Sequence, residues 1–530
     1  MTPERLYLFD TTLRDGAQTP GVDFSLADKR RVLAMLDELG VDYIEGGYPG
    51  ANPLDTALFA ERPKLRAKLA AFGMTKRPGR SASNDPGIAG LLDANCDAIV
   101  FVGKAWDFHV RVALGITLDE NLAGIADSIV AAVSAGREAM LDAEHFFDGY
   151  RANPDYALKV ARTAYEAGAR WVVLCDTNGG TLPAEVAAAV RAVSEVMPSS
   201  HVGIHPHDDT GHAVANALAA VDAGARQIQG TLNGIGERCG NANLTTLIPT
   251  LLLKPGYASR FAIGIEPDQL ASLTKVSHAF DELLNRAPDR QAPYVGGSAF
   301  ATKAGIHASA VMKDPRTYEH VPPETVGNSR QVLVSAQAGR SNVLAELDRL
   351  GVSVARDDPR VGRLLETVKE KEAQGYVYEG ADASFLLLAR HVLGEVPHFF
   401  DVERFSVNVE RRFNASGAYV TVCEAIVKVN VDGESLISAA EGNGPVNALD
   451  LALRKDLGKY QRHIADLRLL DYRVRVFQGG SDAVTRVLIE CGDADGHSWT
   501  TVGVSANIID ASFQALVDSI TFKLLRAGTV

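Results

Sequence analysis

The first half of the chain repeats one pattern, and that repetition restricts the possible folds more than any other feature. Apolar stretches rich in β-branched or aromatic residues lie near 6–10, 43–47, 69–74, 98–103, 138–146, 171–177, 202–207 and 227–232. Between them run Ala/Leu-rich segments of helical period at 26–39, 119–135, 154–167, 183–197 and 211–223. Several of these end on a glycine suited to a helix C-cap: Gly40, Gly136, Gly168 and Gly224. Strand–helix alternation of this length predicts a (β/α)8 TIM barrel. Several of the strands are apolar throughout, as parallel strands buried on both faces must be.

After about residue 255 the pattern changes. Segment 266–286 has helical character, and 287–336 is rich in Pro, Gly and short polar residues. Helices are expected near 338–350, 359–374 and 381–393. From about 398 alternating strands take over, at 404–412, 418–431, 468–477, 483–491 and 498–505, with helices near 445–457 and 509–526. The expected α/β organisation is a catalytic barrel at 1–260, helical linker subdomains at 261–397 and an α+β domain at 398–530. This last domain shows no cluster of metal ligands and no nucleophile–base pair. It therefore reads as regulatory or dimerising.

Composition narrows the partners. A chain of 530 residues that is 46% hydrophobic exceeds one ordinary core. A net charge of -13 without basic runs disfavours nucleic acid and anionic membrane. No apolar run suits a bilayer span, and Met1-Thr-Pro-Glu-Arg leads straight into a strand with no signal peptide. The five cysteines lie far apart with no CxxC, against a disulfide frame or zinc cluster. A cytoplasmic protein is expected.

The chemistry-bearing residues fall at strand ends. Arg14–Asp15 follows the first strand, Glu144 ends the fifth, Thr177 the sixth and His205-Pro-His207 the seventh, with Asn241 beyond the eighth. A closed barrel brings these ends to one face. His205 and His207 are two apart on a strand, so both rings share a side. Together with Asp15 and the Asn241 amide oxygen they form a donor set for a divalent cation, with positions left for a bidentate substrate. Read one by one, each has a plainer role: a lone strand-end His is structural, Asn241 is a turn residue, and Arg14 pairs with Glu45. Glu144 is either a rim salt-bridge partner or an aid to proton transfer. Arg14 is either that structural partner or an electrophile beside the metal. The glycines of Gly230–Gly236 lack a Walker lysine and a Rossmann context, and read as a tight turn.

These motifs resemble the signatures of the 2-isopropylmalate, homocitrate and citramalate synthases. The matching stretches are Asp10-Thr-Thr-Leu-Arg-Asp-Gly-Ala-Gln18, His205-Pro-His-Asp-Asp-Thr-Gly211 and Asn233-Gly-Ile-Gly-Glu-Arg-Cys-Gly-Asn241. Gly305-Ile-His-Ala-Ser309 resembles the family's subdomain motif, and Glu441-Gly-Asn-Gly-Pro-Val446 a helix start in its regulatory domain. Within the family, Ile44-Glu-Gly-Gly-Tyr-Pro-Gly-Ala-Asn-Pro53 and Cys175-Asp-Thr-Asn-Gly-Gly180 look most like the long-type (R)-citramalate synthases. Asp142-Ala-Glu144 stands where isopropylmalate synthases commonly carry Ser-Pro-Glu, which argues against their branched substrate.

The resemblance implies condensation of acetyl-CoA with pyruvate on a divalent metal, Mg2+ or Mn2+ with Zn2+ as a further candidate. It implies that Asp15, His205, His207 and Asn241 hold the metal, Arg14 polarises the keto oxygen, Thr177 binds the carboxylate and Glu144 supports the acid/base step. His307 and Tyr318, from the linker subdomain, would take the proton from the acetyl methyl. It further implies a homodimer and feedback by isoleucine. The competing readings are a synthase for a larger 2-oxo acid, making 2-isopropylmalate or homocitrate, a lyase on the same barrel, and a catalytically dead amino-acid sensor. The long C-terminal domain weakens the lyase, and the intact Arg14, Asp15, Glu144 and His pair weaken the sensor.

Overall fold

The eight apolar segments of the first half pair side by side as parallel strands and close into a barrel. The computed structural model describes residues 3–302, 305–332, 339–378, 380–413, 415–476 and 484–528. The barrel strands are β1 (Tyr7–Asp10), β2 (Tyr43–Gly47), β3 (Lys68–Met74) and β4 (Ala98–Lys104), then β5 (Glu138–Glu144), β6 (Trp171–Asp176), β7 (Val202–Pro206) and β8 (Gln227–Gly230). β1 pairs with both β2 and β8, which completes the ring.

Side chains of one parity point into the barrel. Phe9, Tyr43, Ala70, Val100, Met140, Trp171 and Val173 fill it as a buried cluster. The Trp171 indole N–H donates to the Tyr43 hydroxyl at 3.4 Å, and Tyr43 donates to Glu138 Oε2 at 2.9 Å. The other parity packs against the helices around the barrel, in a larger cluster that includes Leu8, Ile44, Leu69, Ile99 and Phe101. Truncating one such aromatic costs about 3–5 kcal/mol. Stability is concentrated there, which leaves the strand ends free for chemistry.

Local signals set the helix boundaries. Ser25 and Asp28 form a reciprocal capping box at the start of Leu26–Leu39, and Gly40 ends that helix at φ 95°. Thr117 and Glu120 do the same for Leu118–Ser134. The expected helices therefore appear within a few residues of their predicted bounds. Pro53–Ala60 and Pro86–Leu92 were not expected. Each is a short helix opened by Asn52 or Asp85 before a proline, too brief to show a period. Segment 266–286 is not one helix but two, Pro267–Leu270 and Leu273–Leu283.

The chain divides into two compact units, residues 1–300 with 321–330, and residues 301–320 with 331–530. Helices Arg340–Arg349, Pro359–Ala373 and Asp382–Leu393 lie in the second. So do two antiparallel sheets of three strands each among the described residues: β9 (Asp401–Phe413), β10 (Tyr419–Val431) and β11 (Glu434–Gly442), then β12 (Arg468–Val476), β13 (Thr485–Gly492) and β14 (Ser498–Ser505). Helices Pro445–Lys455 and Ile508–Arg526 share a core with them. Residues 338, 477 and 483, at the edges of three expected elements, lie outside the described residues.

β11 was not expected. Its hairpin turns on Asp432-Gly433, with φ 53° and 87°, and Asn430 Oδ1 accepts from the Gly433 N–H at 2.9 Å. Two positive φ values in a two-residue connection make a primed turn, and Asp-Gly is its strongest sequence signal.

The expectation that this domain lacks a ligand cluster needs correction. Asp493, Asp495 and His497 gather where the chain turns from β13 to β14. A tight turn alone brings them together. Asp493 Oδ2 is already met by Lys523 Nζ at 3.1 Å and Arg526 Nη1 at 3.8 Å, so the most buried carboxylate of the cluster is paired. No helix among the described residues is long and apolar enough to cross a membrane.

Candidate active site

The segment after β1 is shaped by its own side chains. Asp10 accepts from the Thr12 backbone N–H and from the Thr12 hydroxyl, both at 2.8 Å. Thr12 Oγ1 in turn accepts from the Leu232 N–H at 2.9 Å, which ties this loop to the one after β8. Burial pushes the Asp10 carboxyl up to about 7, against the Thr12 bonds. Asp10 and Thr12 are thus the frame that delivers Arg14 and Asp15 to the mouth.

Asp15, His205 and His207 converge there, all buried. His205 Nε2 lies 2.9 Å and His207 Nε2 3.9 Å from Asp15 Oδ2. Their ligand atoms all fall within 4.8 Å of one another, a spacing one cation can satisfy. Burial works against ionisation of Asp15, but Arg14 and His205 outweigh it and hold the carboxyl far below the usual range. Burial and the neighbouring His205 lower His207 to about 4, so it is a neutral imidazole at pH 7.

Asn241 stands beside His207 through an isolated antiparallel bridge. Its Nδ2 donates to Ile235 O at 3.2 Å, and its Oδ1 is buried with no hydrogen-bond partner among the described residues. Asn241 is not among the residues lining the cavity that Asp15 and the two histidines share. An orphan amide oxygen on the residue bridged to His207, with the Asp15, His205 and His207 group, nonetheless makes a donor set that suits a metal, so the residues present fit one. The loop needs its glycines. A Cβ on Gly236 would sit 2.1 Å from Asn241 Nδ2, and one on Gly240, at φ 96°, would sit 2.0 Å from Gly234 O. The glycine run is a tight turn, as its sequence context indicated.

Arg14 has both roles open to it at the sequence level. Its Nε donates to Glu45 Oε2 at 2.7 Å, its Nη1 lies 3.5 Å from Asp15 Oδ1, and its guanidinium lies 4.0 Å from the Phe72 ring centroid. Burial acts to lower its pKa, but Glu45, Asp15 and Asp142 overcome this and hold it above the ordinary arginine value. Burial pushes Glu45 up to about 7, against the pull of Arg14.

On the same rim, Glu144 pairs with Lys104 on the adjacent strand. Thr177 Oγ1 accepts from the His145 N–H at 2.8 Å, and His145 holds a left-handed backbone at φ 55° directly after Glu144. Arg14, Asp15, Glu144, Thr177, His205 and His207 line one cavity of about 250 Å³. Phe72, Met74 and Val102 form its apolar part, and Gln18, Lys104, Asp142, Cys175 and Glu237 also line it. A cavity of about 500 Å³ in the second unit, lined by residues such as Met312, Lys313, Leu344 and Asp348, is larger. It holds no comparable convergence of charge among the described residues, so the smaller one is the candidate site.

Lys104 escaped the sequence reading. The available signal was a lysine closing an otherwise apolar strand, in the same parity as Val100 and Val102. His307 and Tyr318 lie in the second unit, both exposed, with ring centroids 4.3 Å apart.

A parallel barrel with a carboxylate, two imidazoles and an amide at its C-terminal rim defines a metal-site TIM-barrel protein. Residues 5–276 match the HMGL-like family, 294–375 the homocitrate synthase post-HMGL domain-like family, and 379–524 the LeuA allosteric (dimerisation) domain. The (R)-citramalate synthase of Streptomyces coelicolor is 49% identical over 99% of this chain and 98% of its own length. That of Synechocystis sp. is 48% identical over 99% and 97%, and that of Aquifex aeolicus 46% over 99% and 98%. The chain belongs to the (R)-citramalate synthase family.

Proposed function

We propose that this chain condenses acetyl-CoA with pyruvate and water to give (R)-citramalate and CoA. The observation that carries this is the convergence of Arg14, Asp15, His205 and His207 on one small cavity, in a chain similar along its length to (R)-citramalate synthases. We also propose a division into a barrel at 1–260, linker subdomains at 261–397 and a regulatory domain at 398–530; the family matches, at 5–276, 294–375 and 379–524, support three parts in that order.

Asp15, His205, His207 and Asn241 are the ligands of a divalent cation, with Mg2+ or Mn2+ preferred and Zn2+ compatible with the imidazoles. When bound, the cation supplies Lewis-acid polarisation of the 2-oxo acid oxygens. Arg14, locked by Glu45 and Phe72, offers fixed positive charge where the alkoxide develops. Thr177 donates its hydroxyl to the substrate carboxylate. Its oxygen is already committed to the His145 N–H, which leaves its proton free for that bond. Glu144 assists proton transfer, with Lys104 holding the carboxylate in place. His307, against Tyr318, takes the proton from the acetyl methyl. Water then cleaves the thioester, which makes the condensation effectively irreversible. The C-terminal domain dimerises the chain and binds isoleucine, the end product expected downstream of citramalate. Its match to an allosteric domain supports this reading.

The direct test is CoA release from acetyl-CoA against a panel of 2-oxo acids. Pyruvate should give the highest kcat/KM. A clear preference for 2-oxoisovalerate would overturn the assignment in favour of an isopropylmalate synthase.

A further inference from the structure

Asp142, the residue that departs from the isopropylmalate synthase pattern, is buried beneath the mouth on β5. Its Oδ1 accepts from Gln229 Nε2 of β8 at 3.3 Å. The other end of that amide, Gln229 Oε1, lies 2.7 Å from His205 Nδ1. All three residues are nearly sealed, at 3%, 1% and 4% exposure, and Asp142 and His205 edge the cavity at the mouth. The order of donors and acceptors then has one consistent direction. A carboxylate facing the amide draws its NH2 group, which turns the amide oxygen toward His205. An amide oxygen only accepts, so Nδ1 must carry a proton. That leaves Nε2 as the ligating nitrogen of the ring, and Nε2 is the atom facing Asp15.

We propose that Asp142 and Gln229 are positioning residues for His205, acting in series. Asp142 orients the Gln229 amide, and the amide fixes the His205 tautomer and ring so that Nε2 is presented to the cation. The inference rests on the metal-site reading above. It adds two residues that are not among the four ligands that reading names.

The test is calorimetric titration of the chelator-stripped full-length protein with Mn2+. Gln229→Leu removes the acceptor and should weaken binding about ten- to a hundred-fold, the usual effect of losing an outer-sphere partner. Gln229→Glu keeps an acceptor oxygen against Nδ1 and should bind more tightly than Gln229→Leu. If Gln229 only packed the barrel, the order would reverse, because buried leucine is tolerated and a second acid beside Asp142 is not. Asp142→Leu should weaken binding less than Gln229→Leu. The double variant should lose less affinity than the two single losses added together, since Asp142 orients the amide that Gln229→Leu removes. Parent-like affinity in Gln229→Leu, a Glu variant weaker than the Leu variant, or additive losses in the double variant would each overturn the proposal. If the parent protein itself binds no Mn2+, the metal reading falls and takes this inference with it.

Discussion

Lys104 Nζ and Glu144 Oε2 form an ion pair between the last residues of β4 and β5, and both line the cavity that Asp15 and the His pair line. The lysine side chain is 12% exposed and the glutamate 25%, so the pair is shielded but reaches the cavity. Lys104→Met should leave the carboxylate without its partner and lower kcat. Glu144→Gln should lower kcat by about a hundredfold or more. The double variant should be no slower than Glu144→Gln, because the lysine acts through the acid. Steady-state CoA release measures all three, and an additive double variant would assign Lys104 a separate role.

Chelator treatment should abolish activity, and Mg2+ or Mn2+ should restore it. His207→Ala should lose metal binding yet keep its circular dichroism and melting profile, because its ring lines the cavity rather than the apolar cluster that fills the barrel. Undiminished turnover in the stripped protein would end the metal reading.

His307 is exposed, so its removal should not change the melting temperature. His307→Ala should nonetheless cut kcat by about a hundred- to ten-thousand-fold while metal affinity holds. Mixing His307→Ala with Arg14→Ala chains should recover activity if the two residues act across a dimer. Wild-type turnover in His307→Ala would remove it from the mechanism.

The helix Pro445–Lys455 opens on Gly444 and Pro445, and a helix N-terminus favours a carboxylate. Isoleucine should bind the intact protein and lower its rate, and removal of residues from about 398 onward should abolish that response. Binding of leucine in place of isoleucine, seen by calorimetry, would redirect the pathway assignment.

Asp518 gives a pH prediction. Burial pushes its carboxyl up to about 6, against a 2.7 Å hydrogen bond from the Ser384 hydroxyl and the charge of Lys371. The unfolded chain titrates near 4. The folded state therefore holds the proton more tightly, and its stability falls as pH rises from about 4 to about 6. Asp518→Asn cannot ionise. Its melting temperature relative to wild type should climb across that window and level off above it. A pH-independent difference between the two melting curves would contradict the assignment.

Much of this protein is legible in short stretches of sequence because the determinants are local. Continuously apolar strands, Ser25 and Thr117 caps and the Gly40 stop require only neighbouring residues, and they suffice for a barrel. The two-residue spacing of His205 and His207 is likewise local, since strand parity alone puts both rings on one side. Asp432-Gly433 is a local signal too, and β11 was readable from it.

What tertiary structure alone decided are the partnerships. Asp142 meets Gln229 across 87 residues of chain, and Gln229 meets His205 across 24. Lys104 meets Glu144 only because β4 and β5 pair in that register. Arg14 and Glu45 could be named as a pair beforehand, yet the stacking of Arg14 on Phe72 depends on how β3 closes beside it. A hydrogen bond or ion pair is set by ångström-scale register between strands, and register follows from closure of the whole barrel. Residue type along the chain therefore determined which chemistry was available, and barrel closure decided which groups face one another to perform it.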